Sequence, residues 1–212
     1  ELLQHGRDLR AVLLLIRAQL GREGLPGFAE AMMLLRRSLE RWWEEIHPVL
    51  DRGESDPIDQ AQPRRSVLAG LVAGEGLLAE LRRAPLVEIP GLGRVTFRDY
   101  QLADGQGAPG PNETRPERGK LDAMMAGALP KPEMEQARAE LLARVRAALD
   151  SARADTEAIE ALFLERLGDP MAAPGFGELK VLLAALATVL PHPTVVEEAP
   201  AAPAGDGEID TP

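Results

Sequence analysis

The stretch LRAVLLLIRAQLGREGLPGFAEAMMLLRRSLERWWEEIHP, residues 9–48, decides the fold. In its first half Leu9, Val12, Leu13, Ile16 and Leu20 recur at three- and four-residue spacing, with Arg10, Arg17 and Gln19 on other faces. That is the period of an amphipathic helix. Gly21 and Gly24 supply a stop. Pro26 suits the first turn of a second helix, predicted to reach Ile46 on Phe28, Met32, Leu35, Leu39, Trp42 and Ile46, with Pro48 ending it. The link at Gly21–Gly24 is short, so the two segments are expected to form an antiparallel hairpin.

Downstream, residues 48–63 hold Asp51, Gly53, Ser55, Asp56 and Pro57, which favour turns, and read as a loop. A third helix is expected from about Arg64 to Arg83 on Val67, Leu68, Leu71, Leu78 and Leu81, weakened by Gly70, Gly74 and Gly76. Leu86–Ile89 and Arg94–Phe97 alternate weakly around Gly91-Leu92-Gly93, the one hairpin candidate. Residues 104–119 have almost no large apolar side chain and read as a flexible loop. Leu121, Met124 and Met125 then suggest a short helix. A long one comes next, from Glu133 to Leu167 on Met134, Leu141, Val145, Ala152, Ile159 and Phe163, and a last one carries Phe176, Leu179, Leu182, Leu183, Leu186 and Leu190.

The fold class expected is all-α: a multi-helix bundle of antiparallel helices with at most one small β-hairpin, a flexible internal loop and a disordered C-terminal tail. The chain divides into a helical region at 1–103, the loop at 104–119, a helical hairpin at 120–190 packing on or beside the first region, and a Pro/Ala/acidic linker at 191–212.

Composition narrows the function. The 212 residues include 34 acidic and 24 basic side chains, a formal charge of −10, which argues against a nucleic-acid backbone or an anionic membrane surface as primary partner. There is no Cys, so disulfide and thiolate chemistry are excluded. The longest apolar run, Ala11–Ile16, falls far short of the roughly 20 residues that cross a bilayer. The chain opens on Glu1, beside a helical pattern already under way, so it is expected to be a piece of a longer protein.

Candidate chemistry concentrates at Arg41-Trp42-Trp43-Glu44-Glu45-Ile46-His47-Pro48-Val49-Leu50-Asp51. A catalytic reading pairs His47 with Asp51 or Asp56 for proton transfer or metal binding. A structural reading has His47 meeting the dipole at a helix C-terminus and the two tryptophans anchoring a small core, and is preferred. His5, His47 and His192 are scattered, and neither His-x-x-x-His nor phosphate-loop spacing occurs, so no metal or cofactor is expected. Glu133, Glu135, Glu140, Asp155, Glu157 and Glu160, interspersed with arginines on the long helix, read as a solvated face.

An ordered series of fragments resembles the N-terminal region of the ImpA/TssA family of bacterial type VI secretion machines. It runs from Arg7-Asp8-Leu9-Arg10 through Glu23-Gly24-Leu25-Pro26-Gly27-Phe28, Leu39-Glu40-Arg41-Trp42-Trp43 and Ile46-His47-Pro48 to Asp56-Pro57. It continues with Arg64, Leu68-Ala69-Gly70-Leu71, Arg83-Ala84-Pro85-Leu86, Gly91-Leu92-Gly93 and Phe97-Arg98-Asp99. The series spans residues 7–105, with a looser likeness to about 190. Two departures stand out: Ile58–Pro63 intervene after Asp56-Pro57, with Ser66 where the family carries Asn, and the family's Asp/Pro-rich opening is missing.

The resemblance implies a non-enzymatic assembly component in the bacterial cytoplasm, held near the inner face of the membrane by the secretion complex. It implies contacts with baseplate, tail-tube and sheath proteins and with the membrane complex, and homo-oligomers formed through a C-terminal domain outside this sequence. Candidate partner-binding or family-motif residues are Trp42, Trp43, His47, Asp56, Pro57 and Arg98. Competing expectations are a helical adaptor of another complex and a hydrolase using His47.

Overall fold

The computed structural model describes residues 6–191. The first element, α1 (Leu9–Arg41), is capped by Asp8, whose carboxylate accepts from Arg10 N at 2.8 Å. Within it Gly24 has φ 66° and ψ −149°, a conformation open to glycine almost alone. This residue is an elbow. A straight helix of 33 residues would be about 50 Å long. Instead Leu9 N donates to His47 O at 2.7 Å and His47 N donates to Arg7 O at 2.6 Å, so the start of α1 meets the chain six residues past its end. The arms 9–23 and 25–41 must therefore fold back on each other, which is the expected hairpin. They cross so closely that a Cβ on Gly27 would stand 2.6 Å from Gln19 O.

The boundaries of the next elements differ from those expected. The second arm stops at Arg41, and residues 42–48 continue as turns rather than as helix to Ile46. Residues 57–63, expected as loop, are helical: α2 (Pro57–Leu68) starts with Asp56 as N-cap, its carboxylate accepting from Ile58 N at 2.8 Å, and Pro57 in the first turn. The single helix expected at 64–83 is two. A 3-10 turn (Ala69–Val72) succeeds α2, Ala73 is extended, and α3 (Leu77–Arg83) starts afresh after Gly76. The extended backbone at Ala73 and the non-helical one at Gly76 break the hydrogen-bond ladder, and glycines at 74 and 76 make the break easier because glycine is a weak helix former.

The small sheet forms as expected, β1 (Pro85–Ile89) antiparallel to β2 (Gly93–Thr96), with Val87 facing Val95 and Glu88 facing Arg94. Gly91 and Gly93 take positive φ at the turn. A reciprocal cap between Thr96 and Asp99 launches α4 (Phe97–Ala103). From Asp104 to Glu117 the backbone is irregular, and α5 (Arg118–Ala126) comes after it. The long α6 (Pro132–Leu167) ends on Gly168 at φ 74°, and α7 (Gly177–Thr188) closes the fold.

α6 packs chiefly along α1 and then against α7 and β1, giving a single apolar core in which Leu9, Ile16, Met32, Leu35, Ile159 and Phe163 are fully buried. One carboxylate expected on the solvated face of α6 lies inside: Asp155 is 6% exposed and accepts from Arg36 Nε of α1 at 2.6 Å. The charge is buried because its partner arrives from 119 residues away. His5, His192 and the expected linker beyond Pro191 lie outside the described residues.

Candidate functional site

The end of the bundle where the chain leaves α1 gathers most of the residues singled out from the sequence. The two tryptophans have opposite fates. Trp43 is 4% exposed and meets the Phe163 ring of α6 edge-on, centroids 4.9 Å apart and planes at 80°. Trp42 is half-buried at the surface, with the guanidinium of Arg7 5.0 Å and that of Arg41 5.5 Å from its ring centroid. Only Trp43 anchors the core. Arg7 also pairs with Glu45, which fixes one edge of this patch.

Arg64 holds the end together, and sequence reasoning gave it no site role. It sits on the inner face of α2 with Ala61 and Leu68, at three- and four-residue spacing, and is fully buried. Its Nε donates to Pro48 O at 2.9 Å, and its Nη2 donates to Ile46 O at 3.1 Å and to Trp43 O. Its guanidinium lies 4.8 Å from the Trp43 ring centroid. The cation thus satisfies carbonyls of the turn segment that follows α1, which has no helical ladder of its own, and it lies against the π-face of the core tryptophan. Burial pushes its pKa down to about 10. At neutral pH it is still a cation, held without a carboxylate in ion-pair contact among the described residues. The available signal was a lone arginine in register with buried positions of its own helix.

His47 is exposed, and its backbone forms the bridge to Asp8. The carboxylates proposed to orient it are engaged elsewhere. Asp51 accepts from Gly53 N at 3.0 Å, while Asp56 caps α2 with Pro57 beside it. The acidic group whose ionisation His47 does influence is Asp8, held below the usual carboxylate range first by hydrogen bonds from the Arg10 side chain, with His47 a minor contributor.

Arg98 belongs to a different place. From α4 it donates through Nη2 to Glu113 Oε2 at 3.0 Å and to Ala108 O at 2.8 Å, tying down the irregular segment after α4. The Arg98 hydrogen bonds, then one from Gly110 N, pull the Glu113 carboxyl down to about 2. Among the described residues no group of three or more His, Asp or Glu side chains is arranged to hold a metal ion. No helix among them is long and apolar enough to cross a membrane.

These features define a predominantly helical module, with one small β-hairpin, whose first helical hairpin is locked at one end by a buried arginine and which displays a tryptophan between two arginines at that end. Residues 1–73 match the family model described as ImpA, N-terminal, type VI secretion system. Over those residues the chain is similar to the ImpA N-terminal region, in line with the resemblance of its ordered fragments.

Over 183 residues, 86% of this chain, the sequence is 33% identical to the type VI secretion system component TssA1 of Pseudomonas aeruginosa. The match takes in 48% of that protein, so the chain spans about half the length of the curated relative. The fold is similar to that of an N-terminal domain of the Burkholderia cenocepacia TssA component that includes the conserved ImpA_N region. The TM-score is 0.56 at 21% identity, covering 86% of this chain and 69% of that one.

Proposed function

We propose that this chain is a non-enzymatic assembly component of a type VI secretion system, acting in the bacterial cytoplasm by binding other parts of the machine. The family match supports membership of the apparatus. The observation that carries a binding role is the division of labour at the bundle end. Trp43 and Arg64 are consumed by the fold, whereas Trp42, Arg7, Arg41 and His47 are presented around it. Tryptophan and arginine on a rigid frame are the residue types that dominate binding energy at protein interfaces. Partners on this reading are baseplate, tail-tube or sheath subunits, with the membrane complex nearby and further oligomerisation resting on sequence outside this chain. Asp56 and Pro57 act in the fold by starting α2, and Arg98 by anchoring the segment that holds Glu113.

The test is a pull-down of the whole chain against purified baseplate, tube and sheath subunits from the same genome, in parallel with Trp42→Ala. Saturable binding to one subunit, weakened tenfold or more by the substitution while the melting temperature moves little, supports the reading. Binding that Trp42→Ala leaves intact would move the interface elsewhere. An adaptor role in another complex would use the same patch, and sheath and baseplate genes beside this one distinguish the two cheaply.

A further inference from the structure

At the elbow of α1 lies a cleft of about 990 Å³, walled by α1, α3, the β-hairpin and α6. Arg17, Arg22, Arg83, Arg94 and Arg144 line it, against three glutamates. Three of the cations are paired within the protein: Arg17 with Glu80, Arg22 with Glu23 and Arg83 with Glu113. Arg94 and Arg144 are exposed and have no carboxylate within ion-pair distance among the described residues, although Glu88 stands opposite Arg94 in the ladder. On a chain of formal charge −10 this is a local excess of positive charge, and concave low-dielectric walls focus its field.

The chain leaves the described fold across α6 from that cleft. Arg146 of α6 donates through Nη2 to Pro191 O at 2.6 Å, fixing the exit point two residues along the helix from Arg144. Arg144 and Arg146 flank the buried Val145, so the exit and the cleft lie on the two shoulders of one helix. The remaining 21 residues, 192–212, hold Glu197, Glu198, Asp206, Glu208 and Asp210 and no Lys or Arg. Crossing one helix width of about 10–12 Å takes roughly four extended residues, so Glu197 and Glu198 are within reach of the cleft.

We propose that the acidic segment 192–212 docks in this cleft, with Glu197 and Glu198 against Arg144 and Arg94. Docked there, the segment's carboxylates neutralise Arg94 and Arg144, which have no ion-pair partner among the described residues. Such docking is independent of the proposed secretion role and of the Trp42 patch.

Because the protein has no cysteine, Ala202→Cys carries a single nitroxide label on the full chain. Docking predicts severalfold paramagnetic broadening of amide signals around Gly24, Arg94 and Arg144. The broadening should be lost in Glu197→Gln/Glu198→Gln, in Arg94→Glu/Arg144→Glu, and at about 0.5 M salt, where screening acts over a few ångströms. Combining Arg94→Glu/Arg144→Glu with Glu197→Lys/Glu198→Lys should restore it. No broadening, or broadening indifferent to all the charge changes, would overturn the proposal. So would broadening seen only when spin-labelled chains are mixed with isotope-labelled ones, since the segment would then occupy another copy.

Discussion

Arg64→Ala removes the side chain on which the bundle end is built. Three hydrogen bonds vanish together, those to the carbonyls of Trp43, Ile46 and Pro48, along with the stacking on Trp43. The carbonyls are left in a space that a methyl group cannot fill. A buried acceptor without a donor costs about 1–3 kcal/mol, and the bonds here share one donor group, so the losses do not simply add. Relief from burying a cation partly offsets them. The net expectation is about 3–5 kcal/mol, and a chain of this size loses roughly 2–4 °C of melting temperature per kcal/mol. Urea unfolding monitored by tryptophan fluorescence is suited to the measurement, because Trp43 sits against the substituted group. Arg64→Lys should recover less than half of the loss, since one ammonium cannot span three separated carbonyls. A loss below about 1 kcal/mol for Ala, or full recovery by Lys, would refute the account of Arg64 as the lock.

The tryptophans should separate cleanly: Trp43→Ala is expected to cost about 3–5 kcal/mol by chemical denaturation, and Trp42→Ala about 1 kcal/mol, because only the first is enclosed. Gly24→Ala should lose about 1–3 kcal/mol, since φ 66° with ψ −149° is strained for any residue with a Cβ; an unchanged melting temperature would mean the elbow does not need that conformation. Glu113 has a folded pKa of about 2 against an ordinary value of 4.5, so its contribution is present above pH 4.5 and lost as pH falls through 2. The stability gap between the wild-type chain and Glu113→Gln should accordingly close across that window, and a gap constant from pH 5 to 2 would contradict the ion pair with Arg98.

The helices that could be read from sequence are those whose apolar spacing is long and uninterrupted. α6, α7 and both arms of α1 are legible because burying one stripe of a helix imposes the 3.6-residue period on the chain locally. The start of α2 was not, because Asp56-Pro57 is at once a turn signal and a helix-start signal, and only the tertiary contacts of residues 58–64 decide between them. Inside the fold Asp51 N donates to Gln60 O and Arg64 reaches back to the end of α1, which holds residues 57–63 helical.

At the candidate site the sequence marked the right neighbourhood, Trp42 to Asp56, but not the roles within it. Adjacent tryptophans at a helix end have equivalent local signals. Trp43 is enclosed because Phe163 approaches from α6, and Trp42 is left at the surface between Arg7 and Arg41.

By itself, then, the sequence determined the predominantly helical class, the hairpin at Gly24 and the likeness of the N-terminal region to the ImpA family. Each rests on short-range spacing or on an ordered set of residues that needs no partner to be recognised. The tertiary structure alone decided which charges are interior, Arg64 and Asp155, and which tryptophan is presented. Burial of a charge depends on compensating groups far along the chain, the carbonyls of residues 43–48 for one and Arg36 for the other, and no local pattern records that meeting.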